Sequence, residues 1–233
     1  MEDRSLARYF ADLAERLLDV DDVTETMKTL VVAAVDVVEG AEHASISHMR
    51  GRALVSASSN DDVGRVLDGI QTGADEGPCL DAIRTAEVVV AHDLRSDERW
   101  TRYGPAAVDS TGVQSSFAHP LRDGKRAFGA LNLFANEVDA FHGDVEQEAV
   151  IAILAAHCAP ALAAALHRHD MEAALRTRDI IGQAKGMLMA RSNVDQEGAF
   201  KMLVGASQRM NIKLADVARR LVEGTLSEDR GGA

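Results

Sequence analysis

Cysteine is scarce in this chain: Cys79 and Cys158 are the only two among 233 residues. Two cysteines cannot build a disulfide framework, and such sparing use fits a reducing cytoplasm. Aromatic residues make up only 4%, so the cores must be assembled from Ala, Val, Leu, Ile and Met. No apolar run is expected to approach the ~18 residues that a membrane span needs. The stretch from Met1 to Arg16 reads as a charged amphipathic helix and lacks the apolar centre of a signal peptide. Basic charge is also short, with 25 Lys and Arg against 37 Asp and Glu and a net charge of −12. For the chain as a whole, that balance argues against phosphate-rich partners. What is present, 46% hydrophobic and 27% charged residues, is ordinary for a globular protein of one or two domains. A membrane protein, a stapled secreted domain and a disordered chain are excluded on this reading, and the expected location is the cytoplasm.

The charge is unevenly placed. Between Asp170 and Gly224 nine Lys and Arg face seven Asp and Glu, a net of +2, which leaves −14 for the rest. Such an asymmetry marks a domain before any motif is read. Along the chain, Leu6, Phe10, Leu13 and Leu17 recur at helical steps, and a second helix is expected from about Val23 to Val38, stopped by Gly40. The period then shortens. Ala44–Met49 and Ala53–Ser58 flank Arg50-Gly51-Arg52 as a hairpin would. Val88–Ala91, Ser115–Pro120 and Phe128–Phe134 read as further strands, the last apolar on both faces except at Asn132, as in a central strand. The expected fold class is α+β, an antiparallel sheet flanked by helices.

From about Asp144 the helical period returns and persists through Ala149, Ala156, Leu162, Leu166, Ala173 and Ile180. Pro160 is its only breaker, and a proline kinks a helix without necessarily ending it. So long a helix cannot bury its stripe on one small domain; it is expected to connect two domains and to pair with a copy of itself in a parallel homodimer. Asp195 is placed to cap a helix from Gln196 to about Met210, and a last helix runs from about Leu214 to Glu223. The tail, 225–233, is expected to be disordered. No internal repeat is found.

At 100° per residue, Ile180, Ile181, Ala184, Met187 and Leu188 share one side of the long helix, with Arg178, Gly182 and Lys185 at its edge. On the following helix Ala199, Met202, Leu203, Ala206 and Met210 form the apolar side, and Phe200 and Ser207 sit off it. An aromatic ring off the core near cations is what base stacking needs. On periodicity alone this segment is a helical interaction module, because helix phenylalanines are more often core and scattered cations a solvated face.

Residue order adds more. Ile181-Gly182-Gln183-Ala184-Lys185-Gly186-Met187-Leu188-Met189, then Ala199-Phe200, then Ala206-Ser207-Gln208-Arg209-Met210-Asn211-Ile212-Lys213-Leu214-Ala215-Asp216-Val217-Ala218 closely resembles the ANTAR family. This is the three-helix RNA-binding module of bacterial transcription antiterminators, which works as a dimer on paired stem-loops. The resemblance covers about 55 residues and implies an RNA-facing set: Gln183, Ala184, Lys185, Gly186, Arg191, Phe200, Ser207, Arg209 and Lys213. Lys185 and Arg191 would neutralise phosphates, and Arg209 and Lys213 border the turn between the last two helices. Ala184 and Gly186 would allow close approach, and Phe200 would stack a loop base. Arg191 also falls within the apolar side by angle, so it has a second reading as a C-terminal cap of the long helix.

Upstream, Asp75-Glu76-Gly77-Pro78-Cys79-Leu80-Asp81-Ala82, Asp93-Leu94, Arg99-Trp100, Ser115-Ser116, Pro120-Leu121, Phe128-Gly129-Ala130-Leu131-Asn132-Leu133 and Ala140-Phe141 resemble a GAF domain. That is a sensory fold with an antiparallel sheet and a pocket on one face, here similar to the subtype fused to ANTAR modules in actinobacteria. An enzyme built on Cys79 with His43, His48, His92 or His119 is the competing reading, with redox sensing as its milder form. Within 21–166 no HxH, HExxH or paired CxxC spacing supports a metal site, and a lone cysteine after a tight turn is more often a small buried residue.

The combined expectation is an N-terminal helix (1–20), a GAF-like sensor (21–166), an ANTAR-like RNA-binding bundle (167–224) and a tail. Its partners would be stem-loop RNA, a second copy joined through the long helix, and a small molecule in the sensor. It names no catalytic residue, metal or cofactor. The rival is a small-molecule or redox sensor whose C-terminal bundle only dimerises or binds protein.

Overall fold

A computed structural model describes residues 3–18, 22–141 and 145–224; the tail expected to be disordered lies outside the described residues. The chain divides into two compact units, 1–165 and 166–233.

The first unit is α+β. Helices α1 (Asp3–Leu18) and α2 (Val23–Val37) precede a five-stranded antiparallel sheet of β1 (His43–Arg50), β2 (Ala53–Ser59), β3 (Val89–Ala91), β4 (Ser115–Asp123) and β5 (Arg126–Ala135), in the order β2-β1-β5-β4-β3. The β5 strand is central, as its apolar sequence requires. Asp22 caps α2 by accepting the Thr24 N–H, the usual remedy for a helix's unpaired first amides. Three further helices, α3 (Val63–Ala74), α4 (Pro78–Thr85) and α5 (Tyr103–Thr111), lie between the hairpins. The core beneath them gathers Leu67, Leu94, Trp100, Tyr103, Val113 and Phe134. Trp100 satisfies its indole N–H on Asp81 at 2.8 Å, and the Arg99 guanidinium lies 4.2 Å over its ring.

Helix α6 (Val145–Ser192) is one continuous element of 48 residues, and Pro160 does not end it. Leu162 fills the space beside Gly129 of β5, where a Cβ would fall 2.6 Å from its Cδ2. Here the expectation about membrane spans needs correction: α6 holds an 18-residue window of mean hydropathy 2.1, long and apolar enough to cross a bilayer. A third of that window is buried in the protein, with Ile151, Leu154, Cys158 and Leu162 inside. A helix laid along one face of a globular domain has this same length and composition, and much of the rest of its surface is alanine.

In the second unit the end of α6 joins α7 (Gln196–Met210) and α8 (Leu214–Val222). Its core is Ala184, Leu203, Val217 and Ala218, with Ile180, Ile181, Leu188 and Leu221 around them. Asp195 caps α7 through the Gly198 N–H at 2.8 Å. Asn211, at φ 51°, ends it in the left-handed conformation that asparagine tolerates better than most residues. Met202 and Met210, assigned by periodicity to the apolar side of α7, are instead exposed at 42% and 41%, because a three-helix bundle this small covers only the centre of the stripe.

Candidate functional site

The sheet of the first unit carries polar groups where an apolar core would be simplest. Ser45 and Ser47, two residues apart on β1, face the same side, and Asn132 on β5 is the ladder partner of Ser45. The Asn132 amide donates to Ser45 Oγ at 3.2 Å and Ser47 Oγ at 3.3 Å, and the Ser47 hydroxyl donates to Asp68 Oδ2 of α3 at 2.7 Å. From the same helix Gln71 Oε1 accepts the N–H groups of Cys79 (3.0 Å) and Leu80 (3.4 Å). It thereby satisfies amides at the start of α4 that have no partner within their own helix. The turn into α4 depends on Gly77. Its φ of 136° and a virtual Cβ only 2.4 Å from the Gln71 side chain leave no other residue room.

Electrostatics follow from this burial. Burial raises the Asp68 carboxyl from the ordinary 3.8 to about 6, the Ser47 hydrogen bond only partly opposing it. Burial, and then the nearby Asp68 charge, push the Cys79 thiol and the Tyr103 hydroxyl well up. Burial likewise pushes the Cys158 thiol up to about 12. Thiolate is the reactive form of cysteine, so the burial of Cys79 counts against the nucleophile and redox readings. His43 and His92 are paired with Asp61 at 2.5 Å and Asp139 at 2.7 Å, and His119 bonds the Pro120 carbonyl. Among the described residues no three His, Cys, Asp or Glu gather as metal ligands. Four atoms of the buried group have no hydrogen-bond partner among the described residues: Asp68 Oδ1, Gln71 Nε2, Tyr103 OH and Asn132 Oδ1. The sequence signalled Asn132 as the one polar residue of a central strand, but nothing in its pattern singled out Asp68, Gln71 or Tyr103.

The second unit is organised in the opposite way. Phe200 is 42% exposed and Lys185 half-buried at the edge of the bundle, while Gln183, Gly186, Arg191, Arg209 and Lys213 are exposed. Ala184 is not available to a partner. It is 0% exposed and forms part of the bundle core, so its assignment to the RNA-facing set is corrected. Ser207 is half-buried, and its hydroxyl donates to the Ile212 carbonyl at 2.6 Å, tying the end of α7 to the start of α8. Helical geometry also divides the set. Phe200 and Arg209 are nine residues apart on α7, roughly 180° around the helix. Phe200 and Ser207 therefore lie on one flank, and Arg209 and Met202 on the other.

The cations differ in their pairing. Arg176, Lys201 and Arg219 each have a carboxylate on their own helix: Glu172 at 3.5 Å, Glu197 at 2.7 Å and Asp216 at 3.3 Å. Lys185, Arg191, Arg209 and Lys213 have none among the described residues.

The chain thus has a buried polar interior under one sheet, followed by a small bundle with an open cationic surface. The family model of the GAF domain matches residues 20–163 and that of the ANTAR domain matches 169–222. The chain belongs to the GAF family and carries an ANTAR domain behind it, the architecture of a signal-responsive regulator. Solved structures agree on the fold of the first part. The GAF domain of a phosphoenolpyruvate-protein phosphotransferase from Coxiella burnetii is 15% identical with a TM-score of 0.57, over 73% of this chain and 99% of that one. The corresponding domain from Acinetobacter is 12% identical with a TM-score of 0.52, over 71% and 98%. A free methionine-R-sulfoxide reductase from Staphylococcus aureus is 12% identical with a TM-score of 0.51, over 67% and 94%. No curated protein matches the chain.

Proposed function

We propose that this protein is a cytoplasmic, homodimeric transcription antiterminator that binds stem-loop RNA through its C-terminal three helices under control of a signal at the GAF domain. The working division is a sensor over 21–166 and an RNA module over 167–224, preceded by the helix within 1–20. One observation carries the reading: all four cations chosen from the family resemblance lack carboxylate partners among the described residues, while Arg176, Lys201 and Arg219, outside that choice, are paired. A cation held by a carboxylate is partly neutralised, whereas a free one can displace counterions from phosphate.

In this reading Lys185 and Arg191 contact phosphates, Phe200 stacks a loop base, and Arg209 and Lys213 contact the strand near the α7–α8 turn. Gly186 lets the RNA approach closely, Gln183 stands exposed as a further contact, and Ser207 holds the turn. RNA stacked on Phe200 reaches Arg209 only by wrapping the end of α7, since the two lie on opposite flanks. A second copy is the proposed partner of α6. Residues 167–172 and 174–179 are exposed all round the helix, and Met171 and Leu175 stand more than half exposed. Higher up, Ala149, Ala152, Ala156 and Ala163 are exposed at steps of three, four and seven residues, a spacing compatible with a coiled-coil seam. The signal is proposed to be a small molecule bound in the GAF domain. The raised thiol of Cys79 supports a regulator rather than an enzyme.

The test is a titration of the full-length dimer with a synthetic RNA of two adjacent hairpins, over a series of salt concentrations. Salt-sensitive binding that weakens in Lys185→Ala supports the proposal; no binding at any salt removes it in favour of a sensor whose bundle only dimerises.

A further inference from the structure

The face of α6 that leads into the bundle holds more open basic surface than the family resemblance picks out. Arg178, Gly182, Lys185 and Met189 succeed one another at four-, three- and four-residue steps, so they share one side of the helix. That side lies roughly 100–160° from Ala184, which points into the bundle. Arg178 is exposed and has no carboxylate partner among the described residues, whereas Arg176, two residues earlier, is held by Glu172. Between Arg178 and Lys185 this side of the helix carries only Gly182, with the exposed Asp179 about 60° to one side of it. Nothing in the protein comes within 4 Å of where a Cβ of Gly182 or Gly186 would be.

Glycine is the poorest helix former apart from proline, and here neither glycine is required by a neighbouring side chain, a turn or a positive φ. Two unpaired cations about 10 Å apart along the axis, with only Gly182 between them on this side, make a cradle open to something from outside the chain. A second copy of this helix would bring Arg178 and Lys185 against their own counterparts, a juxtaposition of like charges. A polyanionic strand meets the same surface with opposite charge.

We infer that the sugar–phosphate backbone of the bound RNA lies along this face of α6, held by Arg178 and Lys185 and seated against the helix at Gly182. The inference rests on the RNA reading above and extends the interface about two turns toward the N-terminus of the bundle.

The test uses the full-length protein and the same two-hairpin RNA. Arg178→Ala reduces the slope of log affinity against log salt by about one, as loss of one phosphate contact requires. Arg176→Ala, its paired neighbour, leaves the slope unchanged. Gly182→Leu fills the seat and weakens binding about tenfold or more, while Gly182→Ala keeps most of it; circular dichroism confirms that both remain helical. An unchanged slope in Arg178→Ala, or wild-type affinity in Gly182→Leu, overturns the inference while Lys185→Ala still reports on RNA binding itself. A change in oligomeric state in Gly182→Leu at constant RNA affinity assigns the face to a second copy and also overturns it. Absence of binding by the wild type removes this inference together with the reading beneath it.

Discussion

The two units of this chain handle polar and apolar groups in opposite ways. The GAF unit takes a carboxyl, an amide, hydroxyls and a thiol into its interior and leaves some of their hydrogen-bonding capacity unused. The ANTAR unit keeps an aliphatic core of a few residues and places a phenylalanine, four methionines and a set of free cations on its surface. Buried polar groups that are incompletely satisfied raise the free energy of the folded state and make it responsive to protonation or ligand. Exposed apolar and cationic groups contribute little to the fold and are available to a partner. Buried polar groups are thus concentrated in one unit, and exposed methionines and unpaired cations in the other.

Two aromatic substitutions should break the comparison most visibly. Trp100→Ala empties a site 1% exposed and should cost about 3–5 kcal/mol of stability, measured by denaturant unfolding. Phe200→Ala should change stability by no more than about 0.5 kcal/mol yet weaken RNA binding by ~1–3 kcal/mol. A large stability loss at Phe200 with RNA affinity intact would place that ring in the fold rather than the interface.

The buried carboxyl gives the next largest effect, and its sign is set by the direction of its shift. Asp68 ionises less readily in the folded protein, at about 6 against an ordinary 3.8. Its contribution is therefore fully favourable below pH 4 and is lost as the pH rises through 6. The difference of about two pH units corresponds to about 3 kcal/mol. Asp68→Asn, which cannot ionise, should gain on the wild type by up to that amount between pH 4 and pH 8. A stability gap that stays constant across that range would mean that Asp68 is charged at no cost. The smallest effect is expected at Lys201. Paired with Glu197 on the solvent face, it should leave the salt dependence of RNA binding unchanged on conversion to Ala, and a drop of about one in slope would erase the distinction between paired and unpaired cations.

Much of the fold was readable because period separates the elements. The hairpin around Gly51, the central strand through Asn132 and the capped helix after Asp195 all follow from local pattern. The α3 helix does carry an apolar stripe, Val63, Leu67, Ile70 and Ala74, but Gly64, Gly69 and Gly73 weaken its propensity and Asp68 and Gln71 share its buried side, which blurs the pattern. The α4 helix escaped because eight residues give barely two turns. For the site, periodicity and family resemblance disagreed at Ala184, and the fold followed periodicity. The pairing of cations, which separates Lys185 from Lys201, depends on side-chain geometry that residue order alone does not specify. The polar interior of the GAF unit was invisible for a related reason: Ser45, Ser47, Asp68 and Asn132 meet only when β1, β5 and α3 come together.

Photo-crosslinking of the full-length protein to the two-hairpin RNA, with adducts mapped by mass spectrometry, tests the central claim most directly. The account predicts adducts on α6 between Arg178 and Arg191 and at Phe200, with the GAF unit unmodified. Adducts confined to the GAF unit, or a bundle left unmodified under conditions where RNA is retained, would contradict it.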